Sequence, residues 1–130
     1  MTINAKLEKT WYLSKEAKGT RALEESVSEI VEELYPDSNN YQTDPAAGIT
    51  DLLDALIYYL LETKISKEAF TIKTIYAHLN DGLISILDAR PDDTMSWAIF
   101  SLLKAEKGDS WKESILGYIH GASVALKQLI

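Results

Sequence analysis

Residues 52–61, Leu-Leu-Asp-Ala-Leu-Ile-Tyr-Tyr-Leu-Leu, would be apolar on nearly every side of a helix, Asp54 being the one charge among them. Such a segment has no face to show to water, so the rest of the chain must be arranged to cover it. The same segment closes a stretch, residues 22–63, with ten acidic residues: Glu24, Glu25, Glu29, Glu32, Glu33, Asp37, Asp44, Asp51, Asp54 and Glu62. That stretch has no Lys, Arg or His. The most apolar helix candidate and the most one-sided charge therefore lie together.

Around this stretch the spacing i, i+3, i+4 recurs, and alternating Val/Ile runs are missing, so the chain is read as all-α. The reading is a single-domain bundle of five to six helices over residues 1–130, with a central apolar helix near 50–63. A chain of 130 residues is long enough to bury a core without staples. The boundaries follow from caps and breakers. A first helix is expected at 3–14. A second runs over 20–35, capped by Thr20 and stopped by Pro36. A polar loop fills 37–48, and the third helix, 50–63, is capped by Thr50. A fourth covers 66–79 from a Ser66 cap, with 80–82 (Asn-Asp-Gly) either breaking it or carried through to Arg90. A fifth covers 92–107, capped by Asp92 or Asp93, with Gly108 at its C-terminal end. The last, 110–130, opens on a capping box of Ser110 and Glu113. On it Trp111, Ile115, Leu116, Ile119, Val124, Leu126 and Leu129 are expected to face the core, and Gly117, Gly121 and Ala125 to let a neighbouring backbone approach.

Composition excludes several chemistries. No cysteine is present, which removes disulfides, thiolate nucleophiles and cysteine metal ligands. The net charge of −7 makes nucleic acid a poor partner, because that requires clustered Lys and Arg. No run of about 18 apolar residues exists to span a membrane, and no signal-peptide core is seen near the start, so the expected compartment is the cytoplasm. The two histidines, His78 and His120, sit in no metal-binding pattern and read as structural. No nucleophile elbow or phosphate loop occurs, so no catalytic residue is assigned and no cofactor is required.

What remains is the acidic face. On the second helix Leu23, Val27, Ile30, Val31 and Leu34 form one side, and Glu24, Glu25, Glu29, Glu32 and Glu33 the other. Glu25–Glu29 and Glu29–Glu33 are like-charge i, i+4 pairs, each costing a few tenths of a kcal/mol. Outside 22–63 the chain holds thirteen bases against ten acids, so the molecule is an acidic pole on a mildly basic body. The first reading is a binding protein whose Glu25, Glu29, Glu32, Glu33, Asp37, Tyr41 and Asp44 dock a basic protein partner. An inhibitor or immunity protein that neutralises a nuclease-like toxin has this character, since the toxin's own site is basic. Tyr35, Tyr41 or Tyr58 are the candidate aromatic anchors.

Two further readings involve a cation. The loop Asp37-Ser-Asn-Asn-Tyr-Gln-Thr-Asp44 clusters oxygen ligands and suggests calcium, although Gln42 and Gly48 stand where an EF-hand needs its glycine and its bidentate glutamate. Glu29-x-x-Glu32 followed by Asp51-x-x-Asp54 resembles the paired carboxylate motifs of the MazG-type all-α nucleoside triphosphate pyrophosphohydrolases, over about residues 20–73. That resemblance implies that Glu29, Glu32, Asp51 and Asp54 hold Mg²⁺ for triphosphate cleavage, with Lys73 matching a later family lysine.

Overall fold

The computed structural model describes residues 2–16, 20–36 and 46–130. The chain forms α1 (Ile3–Glu16), α2 (Arg21–Leu34), α3 (Ala46–Glu62), α4 (Ile72–Ala77), α5 (Gly82–Asp88), α6 (Met95–Lys107) and α7 (Trp111–Lys127). A 3₁₀ turn, Gly108–Ser110, joins the last two helices. The described residues contain no strand, and the fold is an all-α bundle.

The apolar run explains the packing. α3 buries eleven of its seventeen residues. Leu52, Leu53, Leu56 and Ile57 are wholly inaccessible, and each contributes about 1.5–3 kcal/mol of hydrophobic stabilisation. α6 is its most extensive neighbour, α7 and α2 also pack on it, and α1 leans on α2. α2 is amphipathic as its sequence requires: Leu23, Val27, Ile30, Val31 and Leu34 are buried, and Glu24, Glu25, Glu29, Glu32 and Glu33 are exposed. Thr20 caps it, its hydroxyl accepting from the Leu23 N–H. Between α1 and α2 the Thr10 and Ser26 hydroxyls form a buried hydrogen bond of 2.5 Å, and Trp11 donates from Nε1 to the Ile65 carbonyl.

α3 and α7 meet more closely than side chains normally permit. A Cβ on Gly48 would lie 2.2 Å from Cζ of Tyr118, and one on Gly121 would lie 2.7 Å from Cδ1 of Ile49. Each helix gives up a side chain where the other presents a large one. Gly117 faces open space, so the expected close approach falls on Gly121 and not on its neighbour in the stripe. Gly108 has φ of +62°, as a glycine ending α6 should.

Several boundaries differ from expectation because another hydroxyl or a packing demand wins. α3 starts at Ala46, which places Thr50 inside the helix and not at its cap. Ser66 caps a turn only, and the short α4 begins after Thr71, whose hydroxyl accepts from the Thr74 N–H. The chain breaks at 80–82, where Asn80 Oδ1 accepts from the Gly82 N–H. Thr94, and neither Asp92 nor Asp93, caps α6. Ser110 makes no side-chain cap for α7, because the 3₁₀ turn occupies that position. On α7 the core is Ile115, Tyr118, Ile119, Ala122 and Leu126, whereas Leu116, Val124 and Leu129 are exposed. Tyr118 takes the inward direction because Gly48 leaves room for its ring. His120 is exposed, and His78 is half-buried with Nδ1 2.9 Å from the Thr74 carbonyl oxygen. Among the described residues no helix is long and apolar enough to cross a membrane.

Candidate functional site

The acidic face of α2 is displayed as a ridge. Glu25 pairs with Arg21 at 3.2 Å, both exposed, where such a pair contributes little, and Glu33 pairs with the half-buried Lys6 at 3.6 Å. Glu24, Glu29 and Glu32 have no basic partner within ion-pair distance among the described residues. Asp37, Tyr41 and Asp44, assigned to the same docking face or to calcium, lie outside the described residues.

Asp51 and Asp54 belong to a different feature. Together with Tyr58 and Glu62 they form a polar stripe at 3- and 4-residue intervals along α3, an otherwise buried helix. Burial pushes the Asp51 carboxyl above its ordinary range, Glu106 adds to the effect, and Lys107 opposes it. Burial first, and then the neighbouring Asp51 charge, push Asp54 up to about 7. The outside charges that act on Asp51, Glu106 and Lys107, come from the end of α6, and the charge that acts on Asp54 is Asp51. Among the described residues no three acidic or histidine side chains converge in a way that could hold a metal ion. The ridge carboxylates Glu29 and Glu32 and the stripe carboxylates Asp51 and Asp54 are thus two separate sets.

At the far end of the stripe α3 is stitched to α6. Glu62 Oε2 accepts from the Ser96 N–H at 3.0 Å, and Oε1 accepts from the Ser96 hydroxyl at 2.5 Å. Arg90 donates from Nη2 to Glu62 Oε1 at 3.3 Å and from Nε to Ser96 Oγ at 3.3 Å. Its guanidinium also lies 5.3 Å from the Tyr59 ring centroid. A carboxylate thus sits on the first turn of α6, where backbone N–H groups and the helix dipole favour a negative charge. Glu62 and Arg90 side chains are each 17% exposed, so their charges neutralise each other in a partly desolvated place.

Beside this stitch lies a pocket of about 430 Å³, within the size range of ligand-binding clefts, about 300–1,000 Å³. α2 and α6 both flank α3 and make little contact with each other among the described residues, which leaves this gap. Leu23, Leu61 and Met95 give it apolar walls, and Ser14, Tyr58, Asp93 and Thr94 give it polar ones. Tyr58 is 7% exposed, so it is no surface anchor. Its hydroxyl makes no hydrogen bond among the described residues. Burial first, and then Glu24, Asp54 and Glu62 in that order, push that phenol up to about 12. The oxygen therefore sits in a negative field.

The interval 51, 54, 58, 62 inside an apolar helix was the sequence signal for this stripe. Arg90 and Ser96 carry no such signal, because their roles depend on α6 folding back antiparallel on α3. The chain matches no known family model, no curated protein and no solved structure.

Proposed function

We propose that the protein is a binding protein that docks a basic protein partner on α2, and that it acts as an inhibitor or immunity protein against a nuclease-like toxin. One observation carries this reading: α2 keeps Glu24, Glu29 and Glu32 exposed, with no basic partner among the described residues, while it buries its whole apolar side. The like-charge pairs Glu25–Glu29 and Glu29–Glu33 oppose helix formation, and nothing in the described chain offsets them fully. A basic surface of the kind that grips RNA or DNA would offset them and would be blocked in the process. Steering between opposite charges would give fast capture that weakens with salt.

The test is capture from the native host followed by kinetics on the retained protein. The wild type is expected to retain a basic protein, with an association rate that falls at least tenfold between about 50 and 500 mM salt. The double variant Glu29→Lys, Glu33→Lys is expected to lose it. Identical retention by wild type and double variant would refute the proposal.

A further inference from the structure

We infer that the pocket between α1, α2, α3 and α6 receives a long cationic side chain of the basic partner, its charged head beside the Tyr58 hydroxyl and its methylene stem against Leu23, Leu61 and Met95. This rests on the reading of α2 as the docking face. The pocket adjoins that face, since Leu23 lines it and the next residue, Glu24, is close enough to act on the Tyr58 phenol.

Three observations identify the occupant. First, Tyr58 is more than nine-tenths buried and its hydroxyl has no partner among the described residues. Thr50 Oγ1 is the one side-chain polar atom among those residues that is sealed from water without a partner. The Tyr58 oxygen is therefore reached from the pocket, and a buried polar group left open in this way favours a ligand that hydrogen-bonds to it. Second, the local charge selects the sign of that ligand. Among the described residues, the two groups that would attract an anion are already occupied. Arg90 is held by Glu62, and the Ser96 N–H in the first turn of α6 is taken by the same carboxylate. Among the described residues the charges left over are Asp93 on the rim and Glu24 beside it, both exposed and both negative. A guanidinium or an ammonium donates to the phenol oxygen and neutralises these carboxylates, whereas a phosphate would meet them with like charge. Third, the walls are apolar below the charged rim. Lys and Arg bury their stems along such surfaces while the head stays with polar partners.

The experiment uses the whole chain with N-acetyl-arginine amide and N-acetyl-lysine amide as probes, and N-acetyl-citrulline amide as the neutral match for arginine. The Met95 methyl resonance reports on the pocket. A saturable shift with at least one cationic probe is expected in the millimolar range, at least tenfold weaker with citrulline. Tyr58→Phe keeps the buried ring and is expected to weaken both probe and captured partner at least threefold. No saturable shift at Met95, an equal response to citrulline, or an unchanged Tyr58→Phe would overturn the inference. If Glu29→Lys, Glu33→Lys abolishes partner binding while the pocket ignores the probes, the inference fails and the docking face stands. If that charge reversal leaves partner binding intact, the docking face itself fails.

Discussion

Asp54 is the residue at which folding and charge conflict most directly. It is carried into the bundle by a helix that is apolar almost all round, and its carboxyl rises to about 7 through burial and then through Asp51. The unfolded value is near 3.9. Between about pH 4 and 7 the unfolded chain gives up this proton while the folded chain keeps it. The folded state thus binds more protons there, and stability falls as pH rises through that window. Asp51 moves in the same direction, so it reinforces the trend. Asp54→Asn removes the conflict. It is expected to raise Tm at pH 8, by a gain on the order of 2–4 kcal/mol, and to leave Tm nearly unchanged at pH 4. Thermal unfolding of both proteins at the two pH values decides the point. An equal effect at pH 4 and pH 8 would show that ionisation of Asp54 is not its source.

At the scale of elements, the contact between α3 and α7 depends on reciprocal omission: Gly48 yields to Tyr118, and Gly121 yields to Ile49. Gly48→Ala is expected to destabilise by about 2–3 kcal/mol, since a methyl there overlaps an aromatic ring enclosed on all sides. Gly117→Ala, on the same helix as Gly121 but facing open space, is expected to stabilise by about 0.5–1 kcal/mol through helix propensity. Denaturant unfolding would measure both, and a Gly48→Ala protein as stable as wild type would remove the close approach from the account. The helical periods of α2 and α3 and the like-charge face were legible in the sequence, because they depend on residues a few places apart. The direction of α7 was not. Leu116 and Val124 look like core residues by hydropathy and stand outside, while Tyr118 stands inside. The deciding fact, that Gly48 leaves a space, lies seventy residues away in another helix. Leu102 misleads in the same way: it is as apolar as Leu103 and is 67% exposed, whereas Phe100 and Leu103 turn inward on α6. The Glu62–Arg90–Ser96 stitch was hidden for the same reason, since it joins positions brought together by the antiparallel return of α6.

At the scale of the molecule, the acidic ridge on α2 sets stability against binding, and this gives a test that needs no knowledge of the partner's structure. Glu29 lies between Glu25 and Glu33 at helical spacing, exposed, with no basic partner among the described residues. Replacing it by Lys converts two repulsive i, i+4 pairs into two attractive ones. Glu25 would stand N-terminal to the new lysine, which is the more favourable order. Glu29→Lys is therefore expected to stabilise the fold by about 0.5–1 kcal/mol at low salt, a gain that fades in high salt. A solvated face kept merely for solubility would accept that change without loss. A docking face would not, because the same charge reversal places a cation opposite a basic partner. The expected signature is a protein with a higher Tm and a slower association rate with the captured partner, and both effects should shrink together as salt is added. A more stable Glu29→Lys protein that associates as fast as wild type would mean that α2 is acidic for solubility alone. A less stable one would mean that the ridge glutamates interact with the bundle in a way that the helix spacing does not convey.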